Sequence, residues 1–306
     1  MKKLLAITFA LTFFISCKNA GTEKTENAEK NEFEEVKNDS YELVKPTDGL
    51  KGVLVLFGGY PEKAKDIKRE FKILENAKEN RIAVVYMNYN QKLWLEENEK
   101  KKLAEQLQNI FEENDLPRNK TYLGGFSSGG NVALLISDFL KQQNAEMTPI
   151  GVFVIDSPID LVALYKSSEK NVKRDFSEPS IQESTWLLET LGKQFGNPHN
   201  NISNYEYYSI YTSETDNFDN IKNLKNIKVR FYSEPDTLWW KQNRMADFDQ
   251  INAYYLERLS KLLKKSGFKQ VDYIATENKG YRANGERHPH SWSIVDKKEL
   301  IEWITE

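Results

Sequence analysis

Residues 125–129 read Gly-Phe-Ser-Ser-Gly, a G-x-S-x-G set between one short apolar run and another that opens at Val132. A serine hydroxyl is a weak nucleophile by itself; it needs a base to take its proton and an acid to orient that base. Three histidines are present, His199, His288 and His290. His199 stands in "GNPHNN", a turn-like stretch that reads as a surface loop. His288 and His290 lie in "RHPHSW", beyond the last apolar run, and "HSW" leading into a final helical stretch favours His290 as the base. Three carboxylates end apolar runs: Asp156 after "GVFVI", and Glu234 and Asp236 after "IKVRFYS". Serine, carboxylate and histidine together would carry out nucleophilic acyl transfer.

The elements that must position these groups show in the apolar periodicity. Strands are predicted at 41–46, 52–58, 82–88, 121–126, 150–156, 227–233 and 270–276. Between them run helical periods: Ala64, Ile67, Phe71 and Leu74 share one face, as do Val132, Ile136, Phe139 and Leu140. Phe248, Ile251, Tyr255, Leu259 and Leu262 share another. Near-continuous apolar strands separated by helices predict a mostly parallel sheet covered on both faces, an α/β architecture. Residues 157–226 are too long for a plain connection and are expected to form a helical insertion over one end of the sheet. In this frame the G-x-S-x-G falls at a strand-to-helix junction. A sharp turn there lifts Ser127 out of the sheet edge, and the N–H groups opening the following helix favour developing negative charge. One such donor is the N–H of Ser128, and a second is expected from "FGGYP". There Gly58 and Gly59 allow close backbone approach, with Gly59 or Tyr60 as donor.

The elbow "GGFSSGG", "LFGGYP" after an early strand, "SEPD" after the penultimate one and "HPHSW" after the last resemble an α/β-hydrolase of the serine esterase type. The likeness covers nearly all of 41–306. It implies the chain order nucleophile, acid, base, and an acid a few residues past its strand, which selects Asp236 over Glu234. Asp156 is the alternative one strand earlier, otherwise a carboxylate closing the turn at "DSP". The expected triad is therefore Ser127, Asp236 and His290, with an oxyanion hole at Ser128, Gly59 and Gly58. The expected activity is cleavage of a carboxylic ester on a small molecule or a polymer. The same scaffold would also suit a serine peptidase or amidase, or a non-catalytic binding lipoprotein. Trp239, Trp240 and the tyrosines of "NYEYYSIYT" either line a pocket or pack the insertion.

Other chemistries lack their motifs. There is no H-E-x-x-H, calcium loop, P-loop or G-x-G-x-x-G, so neither a metal nor a cofactor is expected. With 43 Lys and Arg against 46 Asp and Glu, no basic excess points to nucleic acid. The N-terminus has a separate role. Two lysines precede an apolar stretch from Leu4 to Ile15, shorter than the roughly 20 residues a membrane span requires. Residues 1–16 read as a signal peptide. "FISC" resembles a lipoprotein cleavage box, which implies lipidation of Cys17, the only cysteine, and anchoring to a bacterial envelope membrane. The polar residues 17–40 are expected to be an unstructured tether.

Overall fold

The computed structural model describes residues 32–89 and 92–306. The expectations for the signal peptide and Cys17, and most of the tether, lie outside them. Among the described residues the sheet has eight strands: β1 (Phe33–Lys37), β2 (Tyr41–Pro46), β3 (Gly52–Phe57), β4 (Ile82–Met87), β5 (Thr121–Phe126), β6 (Gly151–Ile155), β7 (Lys228–Ser233) and β8 (Val271–Ala275). Their spatial order is β1-β2-β4-β3-β5-β6-β7-β8. From β4 through β8 every pairing is parallel, while β1 with β2 and β2 with β4 are antiparallel.

All seven predicted strands are present to within a residue at each end. The eighth corrects the reading of 17–40 as unstructured throughout, because Phe33–Lys37 pairs along its length with β2. An edge strand needs backbone partners more than apolar side chains. Val36 packs against the core, and Lys78 lies over the Phe33 ring.

Among the described residues, ten α-helices accompany the strands: α1 (Ala64–Phe71), α2 (Leu74–Glu79), α3 (Glu97–Glu113), α4 (Ser128–Gln142), α5 (Leu161–Arg174), α6 (Glu178–Phe195), α7 (Ser203–Glu206), α8 (Thr237–Arg244), α9 (Asn252–Lys265) and α10 (Lys297–Thr305). The apolar face expected across 64–74 is divided between α1 and α2, because Lys72 turns left-handed at φ 52°.

Strand β3 shows why the sheet is sandwiched. Val53, Val55 and Phe57 belong to a core shared with α3, α4 and α9. The alternate residues Leu54 and Leu56 belong to a second core with α1, α2 and α10. Side chains two apart share a face, so a strand apolar at every position must be covered on both sides. The insertion is helical, as expected, and has its own small core in which Leu161, Val162, Leu191, Phe195 and Tyr205 are buried.

Candidate active site

Strand β5 runs into α4 through Ser127, whose backbone sits at φ 51° and ψ −127°. Few residues other than glycine adopt a positive φ, and here the conformation is held from outside. The Ser127 N–H donates to the Ile155 carbonyl on β6 at 2.9 Å. The flanking glycines are needed for space. A Cβ on Gly125 would lie 2.1 Å from the Gly129 oxygen, and one on Gly129 would lie 2.3 Å from the Phe57 oxygen. The expected tight turn between strand and helix is therefore present, and Ser127 opens onto a cleft of about 510 Å³ that His290 also lines.

His290 arrives on the loop between β8 and α10. Its Nδ1 lies 2.6 Å from Oδ2 of Asp156. A carboxylate only accepts, so Nδ1 carries the proton and Nε2 is left as the acceptor. Asp156 directly follows β6 and is 5% exposed; its own backbone is left-handed at φ 43°. Its N–H donates to the Tyr232 carbonyl at 2.8 Å, and its carbonyl accepts from Asn252 at 2.8 Å. Both bonds fix the direction of the carboxylate.

The expectation of Asp236 beside His290 is not met. Asp236 caps the N-terminus of α8, where Oδ1 accepts from the Trp239 N–H at 2.9 Å, and its Oδ2 lies 2.6 Å from Arg287 Nη2. Glu234 is equally occupied. Its Oε2 accepts from the N–H groups of Lys279 at 2.8 Å and Gly280 at 2.9 Å, and its Oε1 pairs with Arg287. Arg287 also donates to the Gly280 carbonyl at 2.9 Å. The two acids of "SEPD" thus grip the loop that carries the histidine. His288 lines the same cleft but is buried against Trp239 and Trp240. Burial, reinforced by His290 and two arginines, pushes its imidazole down to about 3, so it stays neutral. Its Nδ1 accepts the backbone N–H of His290 at 3.2 Å. His199 is exposed and contacts Glu169.

The loop after β3 also departs in detail from expectation. Gly59 lies against the elbow, where a Cβ would come within 2.9 Å of Ser127 Cβ, but its N–H is bound to Glu62 Oε2 at 2.9 Å. Gly58 gives room to Glu62, whose Cβ would be 2.8 Å from an added Cβ. The N–H that reaches the elbow belongs to Tyr60, which donates to Ser128 Oγ at 3.0 Å.

Glu62 was not among the sequence candidates. Both its oxygens accept from the Trp292 indole, at 3.1 and 3.0 Å. It therefore ties the loop after β3 to the histidine loop, two residues past His290. Burial raises its carboxyl above the usual range, against the lowering effect of the Trp292 and Gly59 bonds. A carboxylate three residues after a Gly-Gly pair is the only sequence sign of this role.

No protein-family model matches the sequence, and no curated protein does. Solved structures resemble it in fold. The fluorophosphonate-binding serine hydrolase F of Staphylococcus aureus aligns over 90% of this chain and 98% of its own, with a TM-score of 0.54 and 13% identity. An esterase/lipase from an uncultured bacterium aligns over 90% and 86%, with a TM-score of 0.55 and 11% identity. An acylaminoacyl peptidase of Pyrococcus horikoshii aligns over 89% of this chain and 40% of its own, with a TM-score of 0.51 and 15% identity. The sheet order, the elbow and these likenesses together give the chain the α/β-hydrolase fold.

Proposed function

We propose that the protein is a serine hydrolase that cleaves a carboxylic ester, with Ser127 as nucleophile, His290 as general base and Asp156 as the orienting acid. The observation that carries this reading is the 2.6 Å contact between Asp156 and His290, at a cleft onto which a strained serine elbow opens. His290 Nε2 takes the hydroxyl proton as Ser127 Oγ attacks the carbonyl carbon. Asp156 stabilises the imidazolium that forms, which then protonates the departing alcohol. Water repeats the sequence on the acyl-enzyme and releases the acid.

The oxyanion is received by the N–H of Ser128, the first residue of α4, and the N–H of Tyr60. Helix-opening N–H groups have no intrahelical acceptor, and the helix dipole adds to their pull on negative charge. In the free protein the Ser128 hydroxyl oxygen holds the Tyr60 N–H. Removing one such donor typically costs about 3 kcal/mol of transition-state stabilisation.

A fluorophosphonate added to the purified protein should form a single adduct, which peptide mass spectrometry places on Ser127. An adduct on Ser128, or none, rejects the assignment. Cleavage of simple amides as fast as of matching esters would favour the peptidase or amidase reading instead.

A further inference from the structure

The two halves of an ester leave the reacting carbon in different directions, and the surroundings of Ser127 differ accordingly. On the histidine side lies the cleft of about 510 Å³, within the usual size range of ligand sites. Against Ser127, Ser128 and Tyr60 lies a smaller recess of about 90 Å³, which shares Pro158, Leu164 and Leu187 with the cleft and is set apart from it by Lys92, Leu93, Ser128 and Trp186. The imidazolium must reach the leaving oxygen, so the alcohol half belongs with His290 and the acyl half enters the small cavity.

The small cavity is walled by Leu93, Pro158, Leu164, Trp186 and Leu187, with Lys92 and Glu183 completing it. An apolar cavity of about 150 Å³ suffices for benzene, so this one holds an acyl chain of about four carbons or fewer. Part of its wall is tied down. One buried side chain, Asn131, donates to both the Leu93 and Pro158 carbonyls at 2.9 Å. Trp186 stacks on Tyr60 with centroids 5.4 Å apart and planes 10° from parallel.

Beyond the shared Pro158, Leu164 and Leu187, the large cleft is more polar. Ser167, Asn171, Gln250 and Asn252 offer both donors and acceptors, and Trp240 adds an aromatic surface. Arg69, Arg244 and Arg282 are matched in number by Glu62, Glu70 and Glu183. A strongly charged alcohol gains little from such balance, whereas a polyhydroxylated one can use both signs of hydrogen bond and lay its C–H face on an indole.

The geometry points to a short-chain acyl ester of a saccharide-like alcohol as the substrate, an inference that rests on Ser127 being the nucleophile. The test uses the full chain with 4-nitrophenyl esters of two, four, eight and twelve carbons, and with acetylated xylo-oligosaccharides set against ethyl acetate. From butyrate to octanoate kcat/KM should fall at least about tenfold, the scale on which a filled apolar pocket discriminates. Trp186→Ala, at a half-exposed position, should reverse much of that fall. Acetylated oligosaccharides should be turned over at least about tenfold faster than ethyl acetate at equal concentration, the scale of about 1.4 kcal/mol of extra contact. Trp240→Ala should reduce that advantage.

Octanoate hydrolysed as well as acetate overturns the acyl assignment, and saccharide esters no better than ethyl acetate overturn the alcohol assignment. Either result with a fluorophosphonate adduct on Ser127 leaves the hydrolase reading standing. An adduct without turnover of any short ester overturns the inference alone. No adduct and no turnover of any ester rejects the hydrolase reading, and the inference with it.

Discussion

Asp156→Asn should lower kcat by about four orders of magnitude while shifting the melting temperature little. Asn keeps the shape of the side chain but can present its amide to His290 Nδ1, which then accepts and moves the ring proton to Nε2. In that tautomer the imidazole cannot take the proton of Ser127. Asp236→Asn, measured beside it, should stay within about tenfold of wild type, because its carboxylate serves Arg287 and the α8 cap. Should Asp236→Asn collapse turnover while Asp156→Asn does not, the acid lies on the later strand and the 2.6 Å contact has no catalytic meaning.

Arg287→Met should destabilise the protein by about 3 kcal/mol, through Glu234. The Glu234 side chain is 1% exposed and pairs with a guanidinium that also holds Asp236. Taking away one partner of a buried pair leaves an uncompensated charge, which costs about 3–5 kcal/mol. The N–H groups of Lys279 and Gly280 still bind Glu234, which places the effect at the lower end. For a domain of this size that is a fall of roughly 6–12 °C in melting temperature. Turnover should fall as well, since the freed loop carries His290. Adding Glu234→Gln to Arg287→Met should recover part of the lost stability. A melting temperature within about one degree of wild type for Arg287→Met alone would refute the clamp, because even 1 kcal/mol shifts it by more.

The sheet was legible because fully buried strands write themselves as near-continuous apolar runs rich in Val and Ile, and "GVLVLF", "IAVVYM" and "GVFVI" are such runs. The edge strand at 33–37 was not: "FEEVK" pairs through its backbone, which composition does not record. The serine was legible because the turn that exposes it tolerates only glycine on either side. The acid was harder. Strands β6 and β7 are neighbours, so Asp156 and Asp236 leave adjacent strand ends, and only side-chain direction separates them. A partial signal existed in "PDTLWW", where an aspartate opening a helix suggests a cap rather than a catalytic group. Arg287, one residue before the "HPH" that carries the base, was another sign that nearby acids had structural work. Which N–H of "FGGYP" faces the elbow depends on Glu62 binding that of Gly59, a local contact that no spacing rule predicts.

The left-handed backbone of Ser127 sets function and durability against each other at one residue. A non-glycine residue held in a sparsely populated conformation costs about 1–3 kcal/mol. Ser127→Gly relieves that strain and gives back about 0.4–1 kcal/mol through the freer unfolded chain. The balance is a protein about 1 kcal/mol more stable, melting roughly 2–4 °C higher, and without its nucleophile. A lower melting temperature for Ser127→Gly would mean that contacts of the hydroxyl outweigh the strain. With the expected rise, random substitutions screened only for heat resistance would enrich inactive chains at this position, so the serine survives in any population only while its turnover is being selected.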